Sequence, residues 1–239
     1  MSQSNTRRIL AEALLLFLAF FLPGYISQAA FAASGAISSS AMLQSIIVGA
    51  PQFLLMAYIA GATGPSSAPR WGMVRLESGD FLRILLLVIT CFAAVTPFFF
   101  LVSALPPTWS RSLSLGYRWG LRGAGQVPLG LLFGLTAGYR EEFFFRAYLL
   151  GRLDEMAVPR AAAVGLSTGL FCVGHVYEGP LGVAIAAVLG LVFALAYLRR
   201  GSLHVIAISH GLYNAVVLSL SLIAPRALPA AIGFRIFSP

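Results

Sequence analysis

The stretch YREEFFFRAYLL, Tyr139 to Leu150, sets two adjacent carboxylates and two arginines into a run that is otherwise aromatic and aliphatic. The chain around it asks for lipid. Of 239 residues, 59% are hydrophobic and 10% are charged, with a mean hydropathy of +0.87. A soluble domain carries roughly 25% charged residues. The composition therefore excludes an ordinary soluble domain and predicts an all-α, polytopic integral membrane protein with the bilayer as solvent.

The net charge of +8 comes from arginine alone, because the chain has no lysine. A nucleic-acid partner would require those arginines to cluster on one face or arm. They are scattered between apolar segments instead, so no nucleic-acid role is expected. Cys91 and Cys172 both fall in apolar runs and read as small buried hydrophobes rather than a disulfide or metal pair.

About seven apolar stretches reach or approach spanning length. They lie near 9–27, 41–62, 84–105, 127–150, 161–177, 182–198 and 203–222. The loop 63–82 is turn-rich and charged, and 106–126 reads as an interfacial segment that would supply an eighth helix. The first 33 residues resemble a secretory signal, with an Ala30-Phe31-Ala32 triplet. The apolar run is a full span long, however, so an uncleaved first helix is expected. This gives N-terminal helices and loops over 1–126, a core over 127–217, and a tail over 218–239.

With the N-terminus inside, the inner loops hold Arg7, Arg8, Arg70, Arg75, Arg83, Arg152, Arg160, Arg199 and Arg200. The outer segments hold Arg111, Arg118, Arg122, Arg226 and Arg235. Nine against five favours that orientation. The multi-pass chain is expected in a membrane of bacterial inner-membrane type. Gly130/Gly134/Gly138, Gly165/Gly169 and Gly182/Ala186/Gly190/Ala194 form small-residue stripes, which predict close packing among the fourth, fifth and sixth spans.

Ionisable groups inside a span are expensive and normally face a protein interior or a cavity. Here they are Arg140, Glu141, Glu142 and Arg146 in the fourth span, His175 in the fifth, and His204 and His210 in or near the seventh, where the polar Asn214 joins them. Measured from Gly151, Arg160 and Arg200 at ~1.5 Å per residue, Glu141 and His210 lie ~15 Å deep, and His175 and Asn214 ~21–22 Å. His204 lies only ~6 Å deep and reads as interfacial.

Glu142 and Arg146 stand four apart in the favourable order and predict a structural ion pair. Glu141 is turned by about 100° from Glu142 and lacks that partner, which suits a general base. His210 and Asn214 share one face, and Phe171 and His175 repeat the spacing. Together they supply a base, two imidazoles and an amide, the groups needed for attack of water on a carbonyl.

Glu-Glu-x-x-x-Arg (141–146), Phe-x-x-x-His (171–175) and His-x-x-x-Asn (210–214) resemble the CAAX protease and bacteriocin-processing family, also called CPBP or Abi. Its members include the prenyl endopeptidase that removes the last three residues of CAAX proteins. The run RRGSLHVIAISHGLYNA (199–215) is similar to the family's third motif, and His204 is a local departure.

The resemblance implies an intramembrane endopeptidase acting on a membrane-associated or lipid-modified protein or peptide. Glu141, His175, His210 and Asn214 would be its catalytic residues. Two mechanisms fit. In one, Glu141 and His175 activate water while His210 and Asn214 hold the oxyanion, with no metal. In the other, His175 and His210 bind zinc, with Glu141 as base or ligand. The absence of an HExxH helix, together with the family's structural picture, favours the first. Some relatives serve in bacteriocin immunity or as scaffolds. Buried Glu and His would also suit a small transporter, although repeated halves are not evident. The four site residues are expected around one cavity open to the cytoplasmic side.

Overall fold

The computed structural model describes residues 3–24, 36–63, 71–113 and 120–222. Ala30-Phe31-Ala32 and most of the tail lie outside these. The helices are α1 (Gln3–Phe20), α2 (Ser39–Thr63), α3 (Ser78–Ser103), α4 (Pro107–Leu113) and α5 (Val127–Glu142). The last of these runs on through a π-helical turn (Phe143–Tyr148) into α6 (Leu149–Glu155). Then follow α7 (Arg160–Val173), α8 (Gly179–Arg200) and α9 (Leu203–Leu220).

Local chemistry accounts for several boundaries. The Glu77 N–H donates to Asp80 Oδ2 at 2.9 Å and starts α3, while Ser202 Oγ accepts from Val205 N–H at 3.4 Å and starts α9. Gly201, at φ +65°, closes α8 in the left-handed conformation, its N–H donating to Tyr197 O at 2.7 Å.

The polarity of the molecule is inverted relative to a soluble protein. Leu14, Leu15, Ile47, Leu54, Phe81 and Leu85 are exposed, while Glu142, Arg146 and Arg152 are buried. Only 17% of the most apolar window of α2, and the same share of α3, is buried inside the protein. Such surfaces are stable against hydrocarbon, and the chain is an integral membrane protein.

Among the described residues, Ser39–Thr63, Ser78–Ser103, Val176–Arg200 and Leu203–Leu220 are long and apolar enough to cross a membrane. The other expected spans fall short for visible reasons. Arg7, Arg8 and Glu12 load α1 with charge, and α7 has 14 residues where a span needs about 20. The 127–150 stretch is divided at the π-turn. The fifth apolar stretch also ends earlier than expected, because the chain turns after Val173 rather than at residue 177.

The glycine stripes pack differently from expectation. Gly134 and Gly138 press α5 against the backbone of α9, at Gly211 and Ala207, which joins the fourth and seventh stretches. Gly190 of α8 does face Thr168 and Phe171 of α7. A side chain at Gly165 or Gly169 would meet open space, so those two glycines make no close helix approach.

At the arginine-rich end, Arg152 ties α1 to α2 and α6. It donates to Glu12 (3.1 Å), Thr63 Oγ1 (2.6 Å) and Glu155 (3.2 Å). Glu12 also accepts from Tyr148 Oη at 2.7 Å. Cys91 is buried, Cys172 half-buried, and both thiols are free.

Candidate active site

Glu142 is fully buried, and its Oε1 collects two hydrogen bonds. Arg146 Nη1 donates at 3.0 Å, and His210 Nδ1 lies at 2.7 Å. A carboxylate paired with arginine can only accept, so His210 Nδ1 carries the hydrogen. The imidazole is further fixed by stacking on Phe193, with centroids 5.0 Å apart and planes 18° apart. Its Nε2 is thereby turned toward Glu141, 4.0 Å from Oε2.

Arg146 is held from several sides. Its Nη2 donates to Gly190 O at 3.2 Å, and its guanidinium lies 4.4 Å from the centroid of the Phe171 ring. The pair is therefore in direct contact, as the spacing predicts, but Glu142 also reaches across to a residue of the third motif.

Glu141 is not the unpartnered carboxylate that its position suggests. Arg140 Nη2 donates to Glu141 Oε1 at 3.3 Å and, through Nη1, to Gln52 of α2 at 3.3 Å. The neighbouring arginine swings back because its own face of α5 meets α2. This leaves Glu141 Oε2 on the His210 side.

His175 occupies the junction between α7 and the 3-10 turn Val176–Glu178, at the tip of an α7–α8 hairpin rather than within a helix. Its Nδ1 lies 2.8 Å from Phe171 O, which can only accept. Nδ1 is thus the donor, and Nε2 is left as a base or acceptor.

Glu141, His175, His210 and Asn214 all line one cavity of about 80 Å³, together with Phe133, Phe171, Tyr177, Glu178 and Tyr213 among others. Every lining residue of α5 precedes Glu142, and every one of α9 follows Ser209. The cavity consequently occupies the half of the bundle away from Arg160, Arg199 and Arg200. The side of the membrane that this half faces follows from the orientation of those arginines. His204 stands apart, hydrogen-bonded through Nδ1 to Tyr139 Oη at 2.9 Å.

Glu178 is the cavity residue that the sequence reading passed over. The apolar stretch 161–177 ends one position short of it. An acidic residue three beyond His175, in an apolar run, was the available signal. The π-turn beginning at Phe143 had no comparable signal, although such turns recur at functional sites.

The metal-ligating residue types that line the cavity include His175, His210 and Glu141. Among the described residues no three His, Cys, Asp or Glu side chains are grouped closely enough to hold an ion.

Residues 123–216 match the family model described as Rce1-like, type II CAAX prenyl endopeptidase Rce1-like. This segment belongs to the Rce1-like family. The match takes in all three motifs, from just before α5 to the last third of α9, and the Rce1-like family is a peptidase family. No curated protein and no solved structure matches the chain.

Proposed function

We propose that this Rce1-like chain is an intramembrane endopeptidase that hydrolyses a peptide bond of a membrane-associated or lipid-modified protein or peptide. The observation that carries this reading is the gathering of Glu141, His175, His210 and Asn214 around one cavity. Water held between Glu141 and His175 Nε2 loses its proton to the carboxylate as it attacks the carbonyl carbon. The developing oxyanion takes hydrogen bonds from the Asn214 amide and from His210 in its imidazolium form, whose other N–H is already given to Glu142. The proton held on Glu141 then passes to the leaving amine, and the anionic carboxylate is restored as a base. Asn214 lines the cavity, and its side-chain amide is the donor for this role.

The test is cleavage of model transmembrane peptides by the purified chain in lipid nanodiscs, read by mass spectrometry. Glu141→Gln should lower kcat by about 10²–10⁴-fold, the usual contribution of a positioned base. If no peptide is cut and Glu141→Gln retains the cellular phenotype, the immunity or scaffolding reading of a non-proteolytic relative replaces this one.

A further inference from the structure

Among the described residues, most carboxylates inside the bundle have an arginine. Glu142 has Arg146, Glu141 has Arg140, and Asp80 has Arg83. Glu178 does not. It is 7% exposed, and among the described residues its side chain takes a hydrogen bond from Tyr177 Oη at 3.1 Å and forms no ion pair with an arginine. It faces the cavity that holds Glu141 and His175, within a lining that includes Phe133, Ile185, Leu189 and Leu218.

The position is built rather than incidental. Gly179, at φ +76°, lets the chain turn immediately after Glu178 and enter α8 through Pro180. One turn on, Gly182 has no side chain where a methyl group would strike Glu178 Cβ and Oε2. Two glycines thus make room for this carboxylate. A charge in such a place costs several kcal/mol unless a counter-charge meets it.

We propose that Glu178 is a specificity residue that receives a cationic group of the substrate, a lysine or arginine side chain or a free ammonium. This rests on the peptidase reading. The bound cation completes the ion pair that the protein leaves open, and a substrate that sets a carboxylate at the same subsite is repelled. The substrate class is then a membrane-associated peptide with a basic group close to the cleaved bond.

The experiment uses the full chain in nanodiscs and a set of transmembrane peptides that differ at one residue on either side of the cleaved bond: lysine, norleucine or glutamate. For the wild type, lysine at one position should raise kcat/KM about ten-fold or more over norleucine, the worth of one charge-assisted hydrogen bond, and glutamate should lower it. Glu178→Gln should abolish the lysine advantage while norleucine peptides are still cut. Glu178→Arg should invert the preference. Gly182→Ala, which displaces the carboxylate but keeps its charge, should weaken it. Each readout is a ratio within one variant and does not depend on how much of that variant folds. Cleavage without charge preference at any position, or a preference that survives Glu178→Gln, overturns the assignment and leaves the peptidase reading standing. Failure to cut any peptide overturns both.

Discussion

One oxygen, Glu142 Oε1, joins His210 to Arg146, at 2.7 Å from the imidazole and 3.0 Å from the guanidinium. The ion pair read from the first motif therefore extends to the third, and Glu142 acts as a positioning residue for His210 as well as a counter-charge. Glu142→Gln keeps the shape but removes the charge, stranding a buried arginine. The expected loss is about 3 kcal/mol or more of stability, with a fall in kcat of at least about ten-fold as His210 loses its anchor. Thermal unfolding in detergent and single-turnover cleavage measure the two effects separately. A variant with normal stability and reduced turnover would assign Glu142 to the chemistry alone.

The glycines divide into two sets with opposite predicted behaviour. Gly138→Val should force α5 away from the α9 backbone at Ala207 and Gly211 and destabilise the protein by roughly 1–3 kcal/mol. Gly165→Ala points into open space and should shift stability by no more than about 0.5 kcal/mol. Melting temperatures of the two variants, measured in one detergent, decide the matter.

These cases show what a one-dimensional pattern carries. The three motifs are local, with spacings of four residues, so Glu142–Arg146 and His210–Asn214 could be placed on their helices from the sequence. Partners that come from elsewhere could not. The Arg140–Glu141 contact depends on Gln52 and α2, and the Glu142–His210 contact on the close approach of α5 and α9. Hydropathy also runs smoothly through Val173 and Val176, which hid the hairpin turn and with it the setting of His175 and Glu178. Three glycine stripes looked equivalent in sequence, and only tertiary packing distinguished Gly134 and Gly138 from Gly165 and Gly169.

Arginine count and cavity location make a joint prediction about sidedness. Arg199 and Arg200 lie at one end of the bundle, and Ser221 follows α9 at the other. In a background without Cys91 and Cys172, Ser221→Cys should react with an impermeant maleimide added outside intact cells. Arg200→Cys should react only after the membrane is opened. That pattern sets the cavity in the outer half of the bilayer. The reverse pattern would reject the arginine-based orientation and set the cavity in the cytoplasmic half, the side expected from the sequence.

The choice between metal-free and zinc chemistry turns on what Glu141 must do. As a metal-free base it draws a proton from water held beside His175 Nε2, and Asn214 and His210 receive the oxyanion. Protein stripped with a strong chelator should then retain its kcat, and Glu141→Gln should remain inactive whatever metal is added. If His175 and His210 held zinc, the ion itself would lower the pKa of bound water. Chelation would then abolish turnover, added zinc would restore it, and bound zinc would approach one ion per active chain. His210 tests the same distinction from the other direction. Its Nδ1 is engaged by Glu142 at 2.7 Å, so Nε2 is the nitrogen available to either an oxyanion or a metal. In the metal-free scheme, His210→Asn retains a donor amide and should keep a measurable fraction of kcat. In the zinc scheme that substitution removes a ligand, and metal content should fall together with activity. Activity that tracks zinc occupancy in both experiments would overturn the metal-free mechanism and leave the same four residues around the cavity.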